Sequence, residues 1–225
     1  MPTGIACMLK LIHCLGLCLL LESLVAAGEF NPVLSPGDVA PAWSNLPGVD
    51  GEDHSLANLP ADRLVLVVFT CNSCPVARDY EGRLNEFARR HADQVEVIAI
   101  NTNFAAADEL DKMRTRAREQ SFGFAYLKDK TQEVGRAYGA SGTPEFFLLS
   151  KAVAEAGDST VVTRTLLYQG AMDDHTDAAQ AKVNYLDAAV TSALANEPIA
   201  TPETRAQGCR IRYKRVRPAA EQPSP

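Results

Sequence analysis

The chain has 225 residues, 46% hydrophobic and 22% charged, which suits one domain with extensions and excludes a wholly disordered or collagen-like chain. Its formal charge of −6 argues against a general affinity for nucleic acid. Six cysteines are too few at this length for a disulfide scaffold, so their placement matters more than their number. Cys7, Cys14 and Cys18 lie at the start, Cys71 and Cys74 form a CxxC pair, and Cys209 stands alone near the end.

Leu9 to Leu21 is almost wholly apolar, and Ser23-Leu24-Val25-Ala26-Ala27 supplies the small residues that a signal peptidase accepts. Residues 1–27 therefore read as a secretory signal peptide cut after Ala27. The run is short for a spanning helix, which needs about 20 residues. Glu22 and the weakly basic start leave two alternatives: an uncleaved signal anchor, or a lipoprotein on Cys18, against which bulky Leu17 argues. The expected location is extracytoplasmic, periplasmic or secreted, with Cys71, Cys74 and Cys209 as the thiols that reach an oxidising compartment.

Residues 28–35 read as a linker, and Asn31 to Arg63 as loops, with short strands at Ala42-Trp43-Ser44 and Ser55-Leu56. Leu64 to Phe69 is a continuous apolar run rich in β-branched residues, the pattern of a strand buried on both faces. After the turn through Cys71-Asn72-Ser73-Cys74-Pro75, the spacing of Val76, Tyr80, Leu84 and Phe87 predicts a helix to about Arg90. A second buried strand follows at Val95–Ile100, and Leu110, Met113 and Ala117 mark a second helix. Phe124–Leu127 is a short strand, and Asp129-Lys130-Thr131-Gln132 resembles a capping box for a short helix through Tyr138, closed by Gly139. Glu145–Leu149 and Val161–Tyr168 are further strands, joined by a turn at 151–160. Val183, Leu186, Val190 and Leu194 predict the last helix. The order of elements implies a three-layer α/β domain with a mixed central sheet flanked by helices, spanning residues 36–196.

After Ala200 the composition changes. Arg205, Arg210, Arg212, Lys214, Arg215 and Arg217 follow one another with no acid between them, so the rest of the chain is more acidic than its net charge suggests. Residues 197–225 read as a basic tail, disordered from Pro218 on, that is either solvated, with part of it docked on the acidic domain, or a contact for a partner or a membrane surface.

The CxxC pair carries the chemistry because it follows a buried strand and opens a helix. At a helix amino end, free N–H groups and the helix dipole favour an anion, so the Cys71 thiolate is expected to be stabilised and able to attack a disulfide. Cys74, one turn further and less exposed, is placed to resolve the mixed disulfide. Pro75 in the first turn costs no helical hydrogen bond. A purely structural disulfide across a two-residue loop adds little stability. Zinc needs about four ligands, and a c-type haem needs His where Pro75 stands.

Val67-Val68-Phe69-Thr70-Cys71-Asn72-Ser73-Cys74-Pro75, Gly139-Ala140-Ser141-Gly142-Thr143-Pro144-Glu145-Phe146-Phe147-Leu148 and Tyr168-Gln169-Gly170 together resemble the thioredoxin-like superfamily, in particular its extracytoplasmic redoxin (AhpC/TSA-type) branch. The resemblance implies a thiol–disulfide oxidoreductase without cofactor, with Cys71 as nucleophile and Cys74 as resolving cysteine. It further implies a cis Thr143-Pro144 peptide facing the CxxC, whose preceding backbone pairs with the substrate's cysteine segment. Its partners would be a disulfide or dithiol protein substrate and an upstream redox protein. Asn72 and Ser73, between the cysteines, tune the thiolate, and their lack of charge leans toward a reductant.

Two departures stand out. Thioredoxin's buried Asp, six residues before its first cysteine, is Val65 here, and Glu145 is either its substitute or a rim carboxylate. The Pro and the Thr or Ser that peroxidases of the superfamily place before their cysteine are Leu64 and Val68, which disfavours a thiol peroxidase. A redox-inert thioredoxin-fold binding or scaffold module remains the alternative. Arg78 is either a thiolate-favouring charge or a surface arginine. Cys209 is either a tolerated thiol or an exchange partner for Cys71 or an external protein, brought in by a folded-back tail. Asp173-Asp174-His175-Thr176-Asp177 reads as a turn and cap, and His54 and His91 as ordinary residues.

Overall fold

The computed structural model describes residues 28–155 and 158–215; the leader and the end of the tail lie outside them. The strands are β1 (Leu46–Pro47), β2 (Asp53–His54), β3 (Leu64–Phe69), β4 (Val95–Asn101), β5 (Ala125–Lys128), β6 (Gly142–Thr143), β7 (Glu145–Leu149), β8 (Val153–Glu155), β9 (Asp158–Thr163), β10 (Leu166–Gly170) and β11 (Cys209–Arg210). The helices are α1 (Pro75–Arg90), α2 (Leu110–Glu119), α3 (Glu133–Ala137) and α4 (Tyr185–Ala195).

A five-stranded mixed sheet, ordered β10-β7-β3-β4-β5, forms the centre. β3, β4 and β5 run parallel to one another; β7 runs antiparallel to β3, and β10 antiparallel to β7, so that β7 is the strand reversed against the rest. All six residues of β3 are buried, because the sheet is covered on both faces. Leu64, Leu66 and Val68 face Tyr80, Leu84 and Phe87 of α1 and Leu186, Ala189 and Val190 of α4. Val65, Val67 and Phe69 face the opposite layer, built from Leu34, Trp43, Tyr138 and Ile211. α2 packs through Met113 and Ala117 on Ala99 and Tyr126. The three-layer α/β architecture is thus as the strand and helix order implies, and it agrees with the thioredoxin-like fold that the resemblance implies.

Several local expectations give way to tertiary contacts. Ala42-Trp43-Ser44 and Ser55-Leu56 are not strands; the short β1–β2 pair lies between them, and Trp43 is a buried loop residue. The segment 28–35, read as a linker, packs against the domain, with Asn31 and Leu34 buried. The capping box before α3 does not form. Gln132 occupies the N-cap at φ 65° without a side-chain cap, and the Asp129 carboxylate instead accepts the Gly135 N–H at 2.9 Å and the Thr102 hydroxyl at 3.0 Å. The expected strand at Val161–Tyr168 is divided between β9 and β10. At this division the buried Arg164 donates to the carbonyls of Arg63, Ser150 and Pro60 at 2.7–2.9 Å. Val183 lies before α4 and is exposed.

Phe147 closes an aromatic group on the β3 face that carries Phe69 and Tyr138, with ring centroids 5.6 and 5.4 Å away. Replacing it by alanine leaves a cavity, so Phe147→Ala is expected to lower the unfolding free energy by about 3–5 kcal/mol, read as a lower urea midpoint at unchanged slope.

Candidate active site

β3 and β7 pair antiparallel with Phe69 opposite Glu145. The residues that leave β3 and those that enter β7 therefore meet at one end of the sheet. Thr143-Pro144 is a cis peptide there. The Thr143 hydroxyl lies 3.4 Å from Cys71 Sγ, and its carbonyl oxygen 3.1 Å from Cys74 Sγ. Pro75 opens α1, where an N–H would lack a helical partner in any case.

The two cysteines are equally buried, each 2% exposed, rather than graded in exposure. The helix N-terminus also serves the other sulfur: Cys74 is the N-cap, and its Sγ accepts the Ala77 N–H at 3.3 Å. The N–H groups nearest Cys71 are already taken. Asp108 Oδ1 accepts from Asn72 N at 2.8 Å and Ser73 N at 3.2 Å, and Oδ2 accepts the Ser73 hydroxyl at 2.6 Å. The free N–H groups expected to hold a Cys71 thiolate are thus bonded to a carboxylate; Thr143 Oγ1 and, at 3.6 Å, Ser73 Oγ are the polar atoms beside that sulfur.

Asp108 is fully buried, and Asn101 Nδ2 donates to it at 3.0 Å. Tyr126 joins the same network, donating to Asn72 Oδ1 at 3.0 Å. Burial holds the Tyr126 hydroxyl well above its ordinary range, so it stays a donor. Asn72 also donates to the Ala107 carbonyl at 2.8 Å. The dipeptide between the cysteines is thereby fixed by a network that the sequence reading did not identify. Its one available signal was position: Asp108 follows the carboxyl end of a central parallel strand, where α/β sheets place their sites.

The tail reaches the same point. Cys74 and Cys209 form a disulfide with Cα atoms 5.9 Å apart, and among the described residues Cys71 is the free, buried thiol. Cys209 packs against the cluster of Cys71, Cys74 and Ala77. β11 pairs antiparallel with β6, Cys209 opposite Thr143 and Arg210 opposite Gly142. The partner of Cys209 is therefore Cys74, not Cys71. Residues Pro202 to Lys214 lie along the domain: Gln169 N donates to the Pro202 carbonyl at 3.1 Å, Ile211 N to Ser141 O at 2.9 Å and Lys214 N to Gln132 Oε1 at 2.8 Å.

Glu145 is buried, not at the rim, but it does not face the sulfurs. Its Oε2 accepts from Ser141 N at 2.6 Å, Gly142 N at 2.9 Å and Ser141 Oγ at 3.2 Å, bracing the loop that carries Thr143. Burial raises its pKa above the ordinary value, against the lowering effect of those donors. Arg78 is exposed on α1. Asp174 and Asp177 accept backbone N–H groups in their own loop, as the turn reading holds, while buried Asp173 pairs with Arg83 at 2.5 Å. His54 and His91 pair with Asp50 and Asp187, each at 2.9 Å. Leu64 and Val68 are buried within β3.

The AhpC/TSA family model matches residues 36–164. Among solved structures, a hypothetical protein SMc02350 of Sinorhizobium meliloti 1021 is 31% identical, with 80% of this chain and 96% of that one covered and a TM-score of 0.69. An uncharacterized conserved protein of Geobacillus kaustophilus is 28% identical, covering 83% and 96%, with a TM-score of 0.71. Peroxidoxin BcpB of Mycobacterium tuberculosis, 18% identical over 72% and 97%, with a TM-score of 0.52, shares the fold. No curated protein matches the chain.

Removing the Asp108 carboxylate leaves the buried Asn101 amide and the half-buried donors of the CxxC turn unpaired. Asp108→Ala is expected to cost about 2–4 kcal/mol in urea unfolding, and Asp108→Asn, which keeps an acceptor, less. A pH dependence follows from Glu145. Folded Glu145 holds its proton more tightly than the unfolded chain does, so its contribution is full below the ordinary value of 4.5 and declines as pH rises through the raised folded value. Urea midpoints from pH 4 to 7 are expected to show that decline in the native chain and a flatter slope in Glu145→Gln.

Proposed function

The chain belongs to the AhpC/TSA family, and within that family we propose that it is an extracytoplasmic thiol–disulfide oxidoreductase that reduces or exchanges protein disulfides through Cys71 and Cys74. One observation carries the reading: both sulfurs of the CxxC stand within 3.4 Å of Thr143, at the end of the central sheet where β3 leaves and β7 begins, beside a cis proline.

In the reductive direction the Cys71 thiolate attacks one sulfur of a substrate disulfide. A mixed disulfide forms, and the other substrate sulfur leaves as a thiolate. Cys74, once reduced, then attacks Cys71 Sγ; the second substrate thiolate leaves, and a Cys71–Cys74 disulfide remains. Two electrons have passed to the substrate, and an external dithiol protein returns them. The oxidative direction is the same sequence reversed. Asn72 and Ser73 tune the pair through Asp108, which takes up the N–H groups of the turn and so withdraws them from Cys71.

The extracytoplasmic location is supported by the apolar run at Leu9–Leu21 with Ala26-Ala27 behind it, and by a disulfide that closes 135 residues of chain, a bond suited to an oxidising compartment. Peroxidase chemistry is disfavoured because Leu64 and Val68, where the peroxide-activating Pro and Thr or Ser would be needed, offer no polar group.

Reduction of insulin by the purified protein, driven by dithiothreitol, tests the reading. Turnover is expected in the native chain and is expected to vanish in Cys71→Ser. Absence of turnover with a dithiol that does not cycle in redox buffer would leave a binding module, and peroxide consumption dependent on Cys71 would make it a peroxidase.

A further inference from the structure

We infer that the C-terminal segment around Cys209 is a built-in occupant of the substrate groove, and that Cys209 is a third redox cysteine: the protein alternates between a Cys74–Cys209 disulfide that closes the groove and a Cys71–Cys74 disulfide that opens it. The inference deepens the oxidoreductase reading and rests on it.

The first support is the backbone. β6 is a two-residue strand whose Thr143 touches both sulfurs of the CxxC, so a peptide that pairs with β6 brings its own side chains to those sulfurs. This is recognition by strand addition, in which main-chain bonds hold the peptide and a side chain reaches the site. β11 is such a peptide, and the residue it sets opposite Thr143 is a cysteine. A second segment with this geometry cannot pair with the same edge of β6 while the tail is there.

The second support is steric. The tail backbone at Gly208 lies so close to the cis peptide that a Cβ on it would collide with the Thr143 carbonyl and meet Pro144 N at 3.0 Å. Any other residue at 208 must push the strand away.

The third support is the pair of anchors on either side. Upstream, the Thr204 hydroxyl lies 2.7 Å from the Tyr168 hydroxyl, and Thr204 N donates to Gln169 O at 3.0 Å. Downstream, Ile211 is buried in the core, and the Tyr213 hydroxyl donates to Ala140 O at 2.7 Å. Between them, residues 205–210 lie across the site, and a cleft of ≈ 560 Å³ lined by Ser73, Cys74, Phe104, Cys209 and Arg210 leads to the disulfide from outside.

The switch needs no outside oxidant. The Cys71 thiolate attacks Cys74 Sγ; the Cys71–Cys74 bond forms, the Cys74–Cys209 bond breaks, and Cys209 leaves as a thiolate that takes up the proton Cys71 gave up. One disulfide and one thiol stand on each side of this exchange. The product holds the CxxC oxidised and the tail bound only by its non-covalent pairing, so a dithiol substrate can displace it. Reduction of either isomer gives the three-thiol form, in which the same displacement admits a disulfide substrate.

The test uses the one-disulfide form of the full chain, alkylated in acid and mapped by mass spectrometry without reduction. The native chain is expected to yield mainly the Cys74–Cys209 peptide with Cys71 free. Gly208→Ala, which retains every cysteine, is expected to shift the ratio about tenfold toward Cys71–Cys74, as a steric cost of that order implies. A native chain in which Cys209 is always free, or a Gly208→Ala ratio equal to the native one, would overturn the inference. Insulin reduction by Gly208→Ala and by Cys209→Ser, the latter leaving the Gly208 contact untouched, is expected to exceed the native rate under limiting dithiothreitol. Rates no higher than native, with Cys71→Ser inactive, would overturn the gate and leave the oxidoreductase reading standing. Loss of turnover in every form would remove that reading, while the disulfide ratio still decides the pairing of Cys209.

Discussion

The antiparallel register of β3 and β7 is the constraint on which the site depends. With Phe69 opposite Glu145, the exit of one strand and the entry of the other coincide, and Thr143 stands beside the CxxC turn. A slip of one residue would interchange Val65, Val67 and Phe69 with Leu64, Leu66 and Val68 between two differently packed layers, so it is close packing in each layer, and not exposure to water, that holds this register. The core is in this sense part of the candidate site: it aligns two loops that share no sequence proximity.

Two buried carboxylates then hold the loops themselves. Asp108 gathers the peptide groups and the serine hydroxyl of the CxxC turn, and Glu145 gathers those of the turn before the cis proline. Each spends its acceptor capacity on positioning, and among the described residues neither has a hydrogen bond to a cysteine sulfur. The electrostatics around Cys71 therefore differ from the simple picture of a thiol at an open helix end. The helix N-terminus addresses Cys74, the sulfur that the tail has captured.

Much of this was legible in the sequence, for identifiable reasons. Leu64–Phe69 could be read as a strand buried on both faces because its apolar run is unbroken, and α1 because Tyr80, Leu84 and Phe87 keep helical spacing. The CxxC was legible because strand, turn and helix surround it. Trp43 is the packing residue its size suggests, but Ala42-Trp43-Ser44 is not a strand because that burial comes from packing on one layer of the sheet and not from local strand pairing. Asp108 gave no local pattern, since three of its four donors, Asn72 N, Ser73 N and Ser73 Oγ, come from a turn 35–36 residues away in sequence. The tail was the hardest to read. Its positive charge suggests a solvated extension, whereas its docking depends on single residues, Gly208, Ile211 and Tyr213, with no periodicity to announce them.

Whether Cys71 is the sulfur that meets substrate is tested most directly by trapping. In a Cys74→Ser, Cys209→Ser double variant no other thiol of the site can resolve an intermediate. Incubated with a disulfide protein and analysed by intact mass and peptide mapping, this variant is predicted to accumulate a mixed disulfide between Cys71 and the substrate. A folded double variant whose Cys71 reacts with a small alkylating agent but forms no mixed disulfide would contradict the account.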